Sequence, residues 1–185
     1  KEIRKIPHTF IVDKKIPFYK SLTEYESFSD KFEKIEIDKN TKAMVTFTDG
    51  SAGEPKIISK THEFLLNQQE VLKKILDIDK DSKVLVILPT FLLSNISSGI
   101  TSIVPEISLK TSEDIDGNII INQIKNENID TIIAPPAFFN PFIEIYEAIG
   151  RNIHNIKKVY TGGTPVFPLF LESLKKVFPY AEIKS

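Results

Sequence analysis

Short apolar runs rich in β-branched residues alternate along this chain with stretches whose apolar residues recur every three or four positions. Ala43 to Thr48 (AMVTFT) and Lys56 to Lys60 (KIISK) read as strands. The spacing then predicts a helix from about Thr61 to Leu76, followed by a buried strand over Lys83 to Leu88 (KVLVIL). In that helix Phe64, Gln68, Val71 and Ile75 share one stripe, with Leu65, Leu72 and Leu76 beside it, while Glu63, Glu70 and Lys73 lie elsewhere. This apolar side is the expected buried face.

The same alternation continues downstream. INQIKNENI reads as a short helix and Thr131 to Pro136 (TIIAPP) as a buried strand, while AFFNPFIEIYEAIG reads as a helix with Pro141 early in it and Gly150 as its stop. KKVYTGG reads as a strand running into a tight turn, PLFLESLKKVFP as a helix, and AEIKS as the next strand. In the last helix Phe170, Leu174, Val177 and Phe178 form the core stripe, and Pro179 ends it. Strands alternating with helices imply an α/β fold, a layered sheet with flanking helices.

Two stretches break this rhythm. Residues 1–42 scatter their charges and predict one short helix around Ser21 to Phe28, so they read as the remnant of an upstream segment. Thr101 to Asn118 reads as a connecting loop with a turn at Asp116-Gly117. The chain begins at Lys1 rather than Met and stops at Ser185, and both ends are read as cuts.

Composition narrows the functional classes. With 24 Lys and Arg against 25 Asp and Glu, no net field favours nucleic acid or an anionic membrane as a partner. With no Cys, disulfides, thiolate zinc sites and cysteine nucleophiles are excluded and a reducing cytoplasm is permitted. No apolar run approaches the length of a membrane helix, so a soluble cytoplasmic chain is expected. The histidines His8, His62 and His154 form no ligand cluster, and His62 is expected to help the helix entry by hydrogen bonding rather than catalysis. Lys73-Lys74, Lys175-Lys176, Glu144 and Glu147 fall on predicted solvent faces.

The strongest chemical signal is Thr48-Asp49-Gly50-Ser51-Ala52-Gly53-Glu54-Pro55-Lys56 between two strands. Two glycines let the backbone approach a bound group, Thr48 and Ser51 offer hydroxyls, and Lys56 supplies a cation, which together make a polyphosphate cradle. A glycine-rich hairpin turn is the alternative reading of the same spacing. It is not the P-loop of nucleotide hydrolases, because Lys56 follows Pro55 into a strand instead of a helix.

At Thr48, Gly50, Ser51, Gly53, Pro55 and Lys56 the chain resembles the adenylate-forming superfamily of acyl-CoA synthetases, adenylation domains and luciferases. Lys158 to Pro165 (KVYTGGTP) resembles that family's adenine loop, and the order and spacing of the two motifs agree with it. Leu88-Pro89-Thr90-Phe91-Leu92 falls where the family has a Pro-x-Phe-His segment, with Leu92 in the histidine position. The run from Leu93 to Pro105 is similar to the fatty-acid-activating and β-lactone synthetase subgroup. Asp49, Ala52 and Ile57 depart from the family's pattern. A carboxylate beside a triphosphate is repulsive unless a metal bridges it.

The resemblance implies an ATP- and Mg²⁺-dependent ligase that turns a carboxylic acid, expected to be a fatty acid, into an acyl-adenylate and pyrophosphate. It implies transfer to coenzyme A or a carrier-protein thiol, or cyclisation. It assigns Thr48, Gly50, Ser51, Ala52, Gly53 and Lys56 to the phosphates, with Lys56 stabilising pyrophosphate, and Gly162, Gly163, Thr164 and Pro165 to the adenine. Ala134-Pro135-Pro136-Ala137 falls where the family's acyl pocket wall is expected; Phe91, Leu92, Pro136 and Ala137 fall to the substrate, and no residue falls to the metal. Residues 43–185 would be part of the large N-terminal domain of such an enzyme, without its C-terminal catalytic subdomain, and inactive by themselves. The competing expectation is a non-catalytic nucleotide-binding or interaction domain of the same descent.

Overall fold

The computed structural model describes residues 10–11, 20–21, 35–48, 56–107 and 115–185. Two units divide the chain, Lys1–Asp38 and Lys39–Ser185. In the first, β1 (Phe10–Ile11) pairs in parallel with β2 (Lys20–Ser21). The helix expected around Ser21 to Phe28 lies outside the described residues apart from Ser21, which sits in β2.

The second unit opens with an antiparallel hairpin, β3 (Lys42–Thr48) and β4 (Lys56–Thr61), which sets Thr48 opposite Lys56 and Phe47 opposite Ile57. Helix α1 (His62–Leu76) follows without a linker. Its entry bond is made by Thr61, whose Oγ1 accepts from the Phe64 amide at 3.2 Å, so the role expected of His62 falls to its neighbour. Backbone bonds from His62 to Thr41 O and from Glu63 to Lys39 O tie the helix start to the chain entering the hairpin. An ion pair between Lys39 and Glu63 at 2.7 Å spans the same junction.

Five parallel strands form the main sheet in the order β6 (Thr101–Ile103), β5 (Lys83–Val86), β7 (Thr131–Ala134), β8 (Lys158–Thr161), β9 (Glu182–Lys184). Helices α2 (Pro89–Ser98), α3 (Gly117–Asn126), α4 (Asn140–Ile149) and α5 (Pro168–Val177) supply the crossovers. One face packs Leu85, Ile132 and Val159 against α3, α4 and α5, where Phe138, Phe139, Phe142 and Phe178 interlock. Phe139 meets Phe138, Phe142, Phe170 and Phe178 at centroid distances of 5.6, 6.3, 6.3 and 6.1 Å. On the other face Val84, Val86, Ile133 and Tyr160 pack beneath Leu72 and Leu76 of α1 and Phe91 and Leu92 of α2. A sheet buried on both sides explains why its strands read as unbroken apolar runs.

Four local features differ from the sequence reading or are absent from it. Thr101–Ile103 is a strand rather than loop, and Asp116-Gly117 starts a helix rather than turning a loop: the Asp116 carboxylate accepts from the Asn118 amide at 2.8 Å. Gly117 is needed there because a Cβ would stand 2.8 Å from Ile145 and 3.1 Å from Pro141 Cβ. Pro89 to Ser98 is a helix opened by Pro89 in its first turn and closed by Gly99 at φ 70°. Along α1 the row that packs is Leu65, Leu72 and Leu76, whereas Phe64, Val71 and Ile75 are about half exposed or more.

Candidate functional site

The sheet order reverses between β5 and β7, where the chain leaves β5 toward β6 on one side and returns through α3 to β7 on the other. In open parallel sheets the carboxyl edge at such a point forms a natural crevice, because the two connections diverge to opposite faces. Leu88 to Phe91 follow β5, Pro135 to Ala137 follow β7, and Gly162 to Pro165 follow β8, so all three predicted segments emerge along this edge.

A cavity of about 340 Å³ opens there, lined by Leu88 and Phe91 after β5, Ala134 at the end of β7, Thr161 at the end of β8, and Gly162 and Gly163 after it. Leu72, Ile75 and Leu76 of α1, Ile133 of β7, Tyr160 of β8, Lys184 of β9 and the following Ser185 complete it. The topology therefore joins Phe91 to the Gly162-Gly163 turn, 71 positions along the chain by numbering. Gly163 holds φ +89°, a conformation in which a side chain is strained, and neither glycine has an atom within 4 Å of where a Cβ would stand. Bare backbone facing open space suits the close approach of a flat ring. Thr164 and Pro165 continue the turn and are exposed.

Other predicted residues lie away from this cavity. Leu92 packs into the apolar cluster under α1. Pro136 and Ala137 form a 3-10 turn past β7, half-buried and exposed respectively, and Ala134 takes the lining position instead. Thr48 ends β3 and Lys56, exposed, begins β4; Gly50, Ser51, Ala52 and Gly53 lie outside the described residues. Ile57, which replaces the family's glycine, is 68% exposed and stands opposite Phe47. Among the described residues no cluster of His, Asp and Glu could hold a metal ion, and no helix is long and apolar enough to cross a membrane.

The polar groups at the edge are few and neutralised. The Tyr160 hydroxyl donates to Leu76 O, and burial pushes its pKa up, against the opposing pull of Lys184. Lys184 pairs with Glu182 at 3.0 Å and sits 5.8 Å from the Tyr160 ring centroid; the bond to Glu182 holds its pKa above the ordinary lysine value. Thr161 Oγ1 is buried without a partner among the described residues. Ala134, Tyr160 and Thr161 belong to segments that the sequence assigns to the site, whereas Leu72, Ile75 and Leu76 carry no sequence mark of a cavity, since apolar residues at helical spacing signal core.

A second cavity, of about 220 Å³, lies between α1 and α2 and is lined by Met44, His62, Leu65, Gln68, Leu72, Thr90, Leu93 and Ser97 among others. Gln69 Nε2 crosses beside it, donating to Ser94 O at 3.0 Å and to Ser98 Oγ at 2.5 Å. Buried Asn95 donates to Ser102 Oγ at 2.9 Å and ties α2 to β6.

A doubly wound parallel sheet with a glycine turn and an apolar cavity at its carboxyl edge has the layout in which α/β domains carry ligand sites. The AMP-binding enzyme family matches residues 1–184, and the chain belongs to that family. An olefin β-lactone synthetase of Xanthomonas campestris is 23% identical over 137 residues, which are 74% of this chain and 24% of that protein. The luciferase-like enzyme of the mealworm Zophobas morio superposes with a TM-score of 0.74 at 17% identity, over 94% of this chain and 41% of its own. A long-chain-fatty-acid–CoA ligase of Archaeoglobus fulgidus superposes at 0.70 with 19% identity, over 88% of this chain and 35% of its own. The chain spans about a quarter of the length of the curated relatives it matches.

Proposed function

We propose that this chain is the nucleotide- and acid-binding part of an AMP-forming ligase that activates a carboxylate with an apolar tail, a fatty acid. The observation that carries the reading is the single cavity that joins Phe91 and its apolar neighbours to the Gly162-Gly163 turn. Activation requires the acid and the nucleotide side by side, and positioning accounts for much of such a reaction's rate. A carboxylate oxygen would attack the α-phosphorus of ATP, the bond from that phosphorus to the bridging oxygen would break, and pyrophosphate would leave toward Lys56 and the Thr48–Gly53 loop. Gly162 to Pro165 would hold the adenine, and ATP would bring Mg²⁺ with it. Phe91 lies nearest the acyl group in this scheme, while Leu92, Pro136 and Ala137 act at most from behind it. The acceptor would be coenzyme A, a carrier-protein thiol or a group of the acid itself, and residues 43–185 alone would not turn over.

The test is acid-dependent ATP–pyrophosphate exchange by the full-length protein, with a panel from acetate to long-chain acids. Exchange with one class, lost in Lys56→Ala, supports the reading; silence from a folded full-length protein refutes it. The same assay on the 185-residue chain is expected to be blank, and turnover there refutes the dependence on further residues. A second reading, a non-catalytic nucleotide-binding domain, is favoured by Leu92, which fills the family's histidine position and is packed into the core. ATP binding without exchange would select it.

A further inference from the structure

Leu72 lines both the 340 Å³ cavity at the sheet edge and the 220 Å³ cavity between α1 and α2, and it also borders a small space of about 60 Å³ beside Ile78 and Ile100. It also packs on the apolar cluster of Val84, Val86, Ile133 and Tyr160, so its side chain is held from below. Phe91 and Leu93 stand on the α2 side of the two spaces, the first lining the larger and the second the smaller. The partition does not float: Gln69, three residues before Leu72, is bonded to Ser94 and Ser98 and fixes α1 against α2 at this level. Beyond Leu72 the smaller space is bounded by Met44, Leu65 and Leu93, walls that would receive a hydrocarbon.

We propose that Leu72 sets the length of the acyl chain this protein accepts. The inference rests on the acid-activating reading above. With the adenine at the Gly162 edge, the tail runs beside Phe91 and Ile75 through the α1 side of the larger cavity and ends against Leu72. The space beyond is closed to it while the leucine side chain stands. Each methylene accepted or refused in an apolar pocket is worth about 10-fold or more in kcat/KM, so a one-residue stop yields a sharp length preference.

The test is ATP–pyrophosphate exchange by the full-length protein and two variants with straight-chain acids from butanoate to hexadecanoate. Leu72→Ala joins the two spaces and is expected to move the optimum to longer acids, raising kcat/KM beyond the wild-type optimum by about 10-fold or more. Leu72→Phe thickens the partition and is expected to move the optimum to shorter acids, and it decides alone if Leu72→Ala does not fold. Active variants that keep the wild-type length profile overturn this inference and leave acid activation standing. A folded wild-type protein silent with every acid overturns both.

Discussion

Replacing Thr161 by Val separates scaffold from site at the edge of β8. Thr161 is 6% exposed, and its Oγ1 is buried without a partner among the described residues. Alternation along the strand puts its side chain on the Val159 face of the sheet, opposite to Tyr160, and the hydroxyl is closed to solvent although the residue borders the cavity. A buried hydroxyl without a partner costs about 1–3 kcal/mol, and Val has nearly the same shape and suits a strand better. Taking the lower end of that range, Thr161→Val should stabilise by about 1 kcal/mol, which for a folded unit near 150 residues raises Tm by roughly 2–4 °C. Thermal unfolding followed by circular dichroism measures it, and exchange kinetics should stay within a factor of about two because the hydroxyl does not face the cavity. A fall in Tm would mean that the hydroxyl has a partner and would refute the reasoning. A rise in Tm with a large loss of kcat/KM would instead make Thr161 a ligand contact.

Two further substitutions test neighbouring groups. Gly163→Ala forces a side chain to φ +89° and should cost about 1–2 kcal/mol, whereas Gly162→Ala, with ordinary φ and open space, should leave Tm nearly unchanged while still weakening ATP binding; equal Tm losses at both positions would refute the backbone argument. Tyr160→Phe removes the bond to Leu76 O and should cost about 1 kcal/mol at neutral pH. Because burial raises the Tyr160 pKa above the ordinary value of 10.0, the folded protein holds this proton more tightly than the unfolded chain. The stability it contributes is complete below pH 10 and is lost as pH rises past the unfolded pKa toward the folded one. Wild-type Tm should therefore drop more steeply between pH 9 and 11 than that of Tyr160→Phe, and parallel curves would contradict the assignment.

Much of this was legible from local physics. The runs at Lys83, Thr131 and Lys158 are strands buried on both faces, so their identity shows without knowing their neighbours. The helix from His62 and the Leu174-Val177-Phe178 stripe of α5 also follow from side chains a few positions apart. Helix α2 was hidden because a serine-rich segment with weak amphipathicity is held by Pro89, Gly99 and its bonds to Gln69 and Ser102, of which the last two come from elsewhere in the chain. Of the two adjoining apolar rows of α1, only Leu65, Leu72 and Leu76 pack, since the rows are equally apolar and the choice falls to what lies against them.

The amino-acid sequence by itself determined the alternation of elements, the two glycine-bearing motifs and, through them, the family. Only the tertiary structure decided that Phe91 and Gly162 share a cavity, which residue of the Ala134–Ala137 segment lines it, and that Leu72 borders more than one space. The reason is physical: helical and strand periodicity act over a few residues, whereas a cavity is made by the order in which distant strands lie side by side.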